Sequence, residues 1–352
     1  MFVNRISTKV LNRMNRPYVQ IESENKISTL RRHLEKMLPE FKALPGVIGL
    51  TLNGGLSRGY ADHLSEIDVT IYLTSEAFVD WQSSKPPIAV GITKLAGQLY
   101  DIKYVDFRAE SARDWDDTEL WDASYAEILF DPEDLLHSVF SEKLAERPEP
   151  GKAGNLLMSC WWYFRLAGDS WIHRGDVLQG HHVLNQAVTA LVQALFVANR
   201  EYIPHEKWLL HLSRGLRWMP ENWEERLQAA VSTGDLTVES LKSRQVVIAS
   251  LWQEIDRYII ENYYPHLPVH MMQKTSYERL QLLAKEGSIS KGEWQMRTGS
   301  GVPGGDPFYS IFKLEDDELI FDLQALLAID EDAMYDWHYE VLRAVKENLQ
   351  EG

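Results

Sequence analysis

Two acidic side chains one residue apart, Glu66-Ile67-Asp68, open a β-branched run, and a glycine pair, Gly54-Gly55, precedes them across ten residues. On a strand, carboxylates at i and i+2 project from one face with α-carbons about 6.5 to 7 Å apart. That spacing lets them share divalent cations, and ions about 3.5 to 4 Å apart are a recurrent arrangement for in-line attack on phosphorus. Mg²⁺ is the expected ion because it prefers oxygen ligands and substrate phosphates. The glycines supply the complementary half. Directly after a strand they let the backbone approach a ligand and leave amide N–H groups to face an anion. Ser57 adds a hydroxyl and Arg58 a planar charged fork, both suited to phosphate oxygens. Gly54, Gly55, Ser57 and Arg58 therefore read as a phosphate cradle beside a carboxylate pair.

A third carboxylate has to come from a neighbouring strand. Asp106, in Tyr104-Val105-Asp106-Phe107, alternates with apolar neighbours and is the expected partner; Asp101, of opposite parity, is the alternative. Taken singly, a Gly-Gly after a strand is usually a turn and an acidic pair usually a solvated face. Their order and spacing between apolar strands make the combination specific.

The elements that must position these groups form an α+β pattern. Residues 1–21 hold Arg5, Lys9, Arg13 and Arg16 with no acid before Glu22, and read as an arm packing on the body, with a targeting segment as the alternative. Over 22–149, helical spacing at Ile27, Leu30, Leu34, Met37 and Leu38 leads into strands at Val47 to Leu52, Ile67 to Leu73, Ile102 to Phe107 and Ala126 to Phe130. This predicts a mixed sheet with flanking helices. Over 150–265 the pattern becomes helical, with one stripe from Val183 to Leu195 and another through Val246, Val247, Leu251, Ile255, Tyr258 and Ile259. Residues 266–352 form an extension: a helix near Tyr277 to Ala284, a glycine-rich loop, a strand pair over Phe308 to Phe321 and a closing helix from Glu331 to Asn348.

The run from Leu52 to Val69 resembles the nucleotidyltransferase superfamily typified by DNA polymerase β, and more closely its small bacterial members, which include the antibiotic nucleotidyltransferases. In that family an apolar residue, Gly, then Gly or Ser is followed after roughly ten residues by Asp, apolar, Asp or Glu, apolar. The resemblance implies that Gly54, Gly55 and Ser57 hold a triphosphate, that Glu66 and Asp68 hold Mg²⁺, and that Asp106 completes a catalytic, metal-binding trio. Two positions depart from the pattern: Glu66 replaces the usual first Asp, and Asn53 stands where an apolar residue is common. The helical second part also resembles the family, whose small members pair the sheet with a bundle that closes over the nucleotide and binds the acceptor. Ala198 to Leu209 resembles a stretch in an uncharacterised bacterial branch. There Lys207 is a candidate to neutralise the triphosphate, while Arg174 and Asp176 are candidates for the acceptor pocket. Asp176 and Glu206 are further candidates for a base.

Composition narrows the partners. With 36 Lys plus Arg against 52 Asp plus Glu, the formal charge is −16, which disfavours general nucleic-acid binding and favours a cationic or small substrate. No apolar run approaches the roughly 18 to 20 residues of a membrane span. One cysteine, Cys160, and no secretory h-region set the expectation of a cytoplasmic protein. Several motifs are set aside. Gly299 to Gly304 fits GxGxxG but lacks the strand before and the helix after; Gly287 to Gly292 lacks the P-loop Lys; His205, Glu206 and His211 have the wrong interval for a zinc helix. The resulting expectation is an enzyme that moves a nucleoside monophosphate from an NTP, ATP foremost, to an acceptor hydroxyl, with an aminoglycoside-like cation as the leading acceptor. A toxin-like transferase acting on protein or RNA, and a catalytically inactive nucleotide sensor, stand beside it.

Overall fold

A computed structural model of the chain describes residues 16–305, 308–329 and 336–351. Residues 1–15 of the expected arm and 331–335 of the expected closing helix lie outside the described residues. The chain forms two compact units. The first holds the described residues up to Glu149 together with Asn199–Met219; the second holds Pro150–Ala198 and the described residues from Pro220 onward.

In chain order the first unit begins with α1 (Ile27–Lys42), whose Leu30, Leu34, Met37 and Phe41 recur at helical spacing and are buried. Gly46, at φ +73, turns the chain into β1 (Val47–Leu52), because a Cβ there would lie 2.0 Å from that of Ala77. Then come α2 (Gly54–Arg58), β2 (Ile67–Leu73), α3 (Ser75–Ser83), β3 (Gly91–Leu95), β4 (Gln98–Asp106), α4 (Phe107–Ala112), α5 (Asp117–Ala123), β5 (Glu127–Phe130) and α6 (Leu135–Lys143). The chain passes to the second unit for α7 (Ala153–Trp161), α8 (Gly168–Arg174) and α9 (Val177–Ala198), and returns for α10 (Glu206–Ser213).

The sheet is mixed, in the order β3-β4-β2-β1-β5, with β2 and β4 parallel and the other neighbours antiparallel. Parity divides its two faces. Leu50, Leu52, Ile67, Val69, Ile71, Leu73, Tyr100 and Ile102 form one core with α1 and α3. Asp68, Thr70 and Tyr72 of β2, and Asp101, Lys103 and Val105 of β4, occupy the opposite face and line a cavity. The β3 strand, a hairpin partner of β4, was not anticipated from the sequence; its alternation of half-buried and exposed residues marks a solvated edge.

The second unit continues with α11 (Trp223–Val231), α12 (Val238–Tyr263), α13 (Lys274–Glu286), β6 (Ser288–Ser290), α14 (Lys291–Thr298), β7 (Phe312–Glu315), β8 (Glu318–Phe321), α15 (Leu323–Ala328) and α16 (Asp336–Glu351). Val183, Leu184, Ala187, Leu191, Ala194 and Leu195, the apolar residues of the stripe expected here, are all buried on α9. On α12 the buried seam runs through Leu241, Ile248, Leu251, Ile255 and Ile259, and Val246 faces outward because it lies two residues, about 200° of helix, from Ile248. Arg244 on this helix is buried and donates to Ala230 O at 2.7 Å and Asn185 Oδ1 at 2.7 Å, with His181 Nδ1 at 2.6 Å. Burial pulls its pKa down to about 10. Between α7 and α8, Trp162–Ala167 is π-helical, and Gln245 Nε2 donates to its Phe164 carbonyl at 2.7 Å. The extension packs around its own core, which includes Leu280, Trp294, Ile311, Leu319 and Val345. Gly299 to Gly305 is a loop, pinned where Trp294 Nε1 donates to Gly301 O.

Phe41 is fully buried and meets Tyr100 edge-on at 5.9 Å between centroids. Replacing Phe41 by Ala is expected to cost the first unit about 3 to 5 kcal/mol in denaturant unfolding, against under about 1 kcal/mol in the second unit for Ala at Trp162, which is 54% exposed.

Candidate functional site

The cavity on the open face of the sheet has a volume of about 550 Å³ and is lined wholly by residues of the first unit. At one end the chain leaves β1 and turns over the sheet. Asn53 N donates to Asp68 O at 3.0 Å and Asn53 Nδ2 to Thr70 Oγ1 at 2.6 Å, so a polar residue stitches β1 to β2 where an apolar one is usual. Gly54 follows at φ +65. A Cβ on it would lie 1.9 Å from Asp68 Oδ2, so both its conformation and the carboxylate pressed against it require glycine. Gly55 sits under the carbonyl of Tyr60, and Ser57 is buried, its hydroxyl donating to Gly54 O at 3.0 Å.

Glu66, immediately before β2, and Asp68 both line the cavity. The acid joining them is Asp101, which pairs with Asp68 in the parallel register of β2 and β4. Asp106 pairs with Leu73 and so belongs to the opposite parity, on the side of α1 and α3. There its carboxylate accepts from Arg108 N and from Ser75 Oγ, each at 2.9 Å, and caps α4. Asp106, the acid expected to complete the trio, thus lies on the other face of the sheet from Asp68, and Asp101, the alternative, lies beside Asp68. Tyr100, Ile102 and Tyr104 alternate with Asp101, Lys103 and Val105, and the polar set of that alternation was the available signal.

Asp68 carries the clearest electrostatic signature. Its pKa is raised to about 6, first by burial and then by Glu66, with Asp101 and Asp122 adding to the rise and Arg58 opposing it. Among the described residues no hydrogen bond or ion pair joins the side chain of Glu66, Asp68 or Asp101 to a cation. The three stand further apart than Asp131, Asp134 and His137, whose ligand atoms all lie within 4.8 Å of one another. That second cluster is accounted for locally, since Asp131 Oδ2 accepts from His137 N at 2.9 Å and faces His137 Nδ1 at 2.8 Å, fastening the start of α6.

The cations of the cavity fall into two sets. Arg58 is buried, its Nη1 2.5 Å from Asp122 Oδ1, with its guanidinium carbon 4.5 Å from the Trp121 ring centre and 5.5 Å from that of Trp208. Arg113 is held by Glu110 and Glu119, each at 2.7 Å from Nη2. Lys103, in register with Thr70, and Lys207, on the first turn of α10, have no such partner among the described residues. Lys207 is thus brought to the acids, as is His205, whose Nδ1 accepts from Lys207 N. Lys103 was missed because a lone lysine on a strand carries no motif. Arg174 and Asp176 belong to the second unit and do not line this cavity; Asp176 accepts from Gln179 N at 3.0 Å, and Arg174 lies over the Trp171 ring.

The protein family described as "Domain of unknown function (DUF4037)" matches residues 114–209, which span Trp121, Asp122, His205 and Lys207 of the cavity. No curated protein matches the chain. Among solved structures, a nucleotidyltransferase-like protein from Exiguobacterium sibiricum 255-15 is similar over 82% of this chain and 97% of that one, at 13% identity and a TM-score of 0.37.

A carboxyl whose folded pKa lies above its unfolded value binds its proton more tightly in the folded state. The stability it contributes is therefore full below the ordinary Asp pKa and is lost as pH rises through about 6. Asp68→Asn removes that loss. It is expected to be more stable than the parent at pH 8 by on the order of 1 to 2 kcal/mol, with the advantage gone by pH 4, as read by urea unfolding at the two pH values.

Proposed function

We propose that this cavity transfers a nucleoside monophosphate from an NTP, ATP foremost, to an acceptor hydroxyl, with pyrophosphate leaving. The observation that carries the reading is the set of Asp68 on β2, Asp101 beside it on β4 and Glu66 just before β2, with Asp68 pressed against a left-handed glycine and lifted to a pKa of about 6 first by burial and then by its acidic neighbours. Repulsion among carboxylates is what a divalent cation relieves, so the charge and the oxygen donors of this set suit Mg²⁺, which would draw them closer together. Glu66, Asp68 and Asp101 would hold it, and when bound it neutralises charge on the phosphoryl group and lowers the pKa of the acceptor hydroxyl.

The chain's own residues divide the remaining work. Lys103 and Lys207, which have no ion pair among the described residues, take the phosphate oxygens as point charges. Gly54 leaves room for the Asp68 carboxylate to lie against the backbone of the turn. Ser57 and Arg58, both expected to bind phosphate, instead brace the turn, Ser57 through Gly54 O and Arg58 through Asp122. A cavity carboxylate accepts the acceptor's proton once the substrate hydroxyl is in hydrogen-bond reach.

The acceptor is proposed as a small molecule with a free hydroxyl. The wall acids Glu110, Glu119 and Asp122 are matched by Arg113 and Arg58, leaving little unpaired negative charge there for a polycation. An acceptor with one amine or none therefore suits this wall better than an aminoglycoside. Labelled NTPs with Mg²⁺, offered hydroxylated small molecules, an aminoglycoside panel or cell lysate, show whether label goes to a small molecule, to protein, to RNA or nowhere. NTP binding with no pyrophosphate release under any of these would make the site a nucleotide sensor.

Asp68→Asn and Asp101→Asn are each expected to lower pyrophosphate release at least about 10³-fold, whereas Asp106→Asn stays within about threefold. Full activity in Asp68→Asn would remove the carboxylate set from the reaction. Full activity in Asp101→Asn, with loss in Asp106→Asn, would return the third role to Asp106.

A further inference from the structure

Arg16 to Val19 is fastened to the first unit at every residue. The Arg16 side chain is 7% exposed, with Nε 3.3 Å from Glu201 Oε2 and its guanidinium over the rings of Tyr125 and Tyr202 at 4.6 and 5.6 Å. Burial pushes the Glu201 carboxyl up while Arg16 opposes the shift. Tyr125 Oη donates to Pro17 O at 2.9 Å. The Tyr18 ring stacks on Tyr60 at 5.0 Å and 18°, and a Cβ on Gly215 would strike the Tyr18 backbone at 2.8 Å. Val19 N donates to Tyr60 Oη at 3.1 Å, while Val19 O receives Tyr60 Oη at 3.0 Å and meets His211 Nε2 at 3.1 Å.

Tyr60 is the hub of this arrangement. Its backbone N donates to Gly55 O at 2.9 Å, tying it to the glycine turn, and its ring meets Trp208 at 4.8 Å and His211 at 5.9 Å. Trp208 and His211 are on α10, one and four residues beyond Lys207, so they set the rotation of the helix that presents this lysine to the cavity. We infer that Arg16–Val19 is a clasp that holds α10 against the glycine turn, and that Tyr60 and His211 are positioning residues acting through Lys207. The effect on ligand affinity rests on the nucleotide-binding reading above; the clasp itself does not.

Two measurements on the full chain separate them. In calorimetric titration with Mg²⁺ and ATP, Tyr60→Phe, which keeps the ring and loses both hydrogen bonds, is expected to weaken binding about tenfold. Lys207→Gln is expected to do the same. The double variant should be no weaker than Lys207→Gln alone, because two residues acting through one contact are not additive. Parental affinity in Tyr60→Phe, or losses that multiply, would overturn the positioning role. Hydrogen exchange over Trp208 to Leu212 is read without nucleotide and is expected to quicken about tenfold in Tyr60→Phe and in Tyr18→Ala, which loses the stacked ring. Unchanged exchange would overturn the clasp. A parent protein that binds no nucleotide, with exchange still quickened in the variants, would leave the clasp standing and remove the nucleotide reading.

Discussion

The Asp68 carboxylate lies against the backbone of Gly54 while Glu66 and Asp101 add like charge around it. Bringing acids together on a half-buried face opposes folding at neutral pH, and the surroundings are arranged to tolerate it. The opposite face of the same strands is apolar, and Ile67, Val69 and Ile71 anchor β2 into the core under α1 and α3. Each acid on β2 or β4 thus alternates with residues whose burial fixes its direction. A slip of one residue in the pairing of β2 and β4 would send Asp101 to the core face, so the hydrophobic pattern also enforces the electrostatic one.

Charge in the cavity is sorted by pairing. Arg58 and Arg113 are consumed by Asp122, Glu110 and Glu119, and Arg58 is also flanked by Trp121 and Trp208. These pairs tie α2 to α5 and α4 to α5, and they define the wall. Among the described residues, no ion pair joins Glu66, Asp68 or Asp101, or Lys103 on β4 or Lys207 on α10, to a partner. A motif reader assigns Arg58 to phosphate because of its position after the glycines. Its burial and its aromatic flanks show that an arginine directly after a glycine turn can act as a brace, while Lys103 and Lys207 line the same cavity without such flanks.

The sheet was legible in sequence where local pattern determines it. The bounds expected for β1 and β2 coincide with Val47–Leu52 and Ile67–Leu73, because each is an apolar, β-branched run closed by turn residues. The glycines and the Glu66-Asp68 pair were legible for the same reason. The third acid was not, since choosing between Asp101 and Asp106 needs the register of β4 on β2, a contact between residues more than thirty apart. Asn199–Met219 was read as part of the helical region from its composition, yet it packs with the sheet unit through Trp208, His211 and Gly215. Its apolar residues signal burial but not the partner that buries them. Val246 was misplaced by an ambiguity of phase: either Val246 or Ile248 continues a helical stripe, and the packing of α12 selects the second.

The interval between glycine pair and acid pair follows from closing the loop between β1 and β2. After the five residues of α2, Gly59 at φ +92 reverses the chain, and Tyr60 N returns to Gly55 O. Ala61 O then receives Lys26 N at 2.8 Å, and Asp62 and Ser65 close a small turn through Asp62 N to Ser65 Oγ at 2.9 Å. Only then does β2 start, with Asp68 O accepting from Asn53 N. A shorter connection could not contain α2, its reversal and the second turn while keeping Asn53 beside Asp68. Insertion of a residue would have to be absorbed as a bulge, or it would exchange the faces of β2. The ten-residue spacing is therefore the length at which the glycine turn folds back onto the strand that carries the carboxylate, and the spacing and the close approach at Gly54 are one constraint seen at two scales.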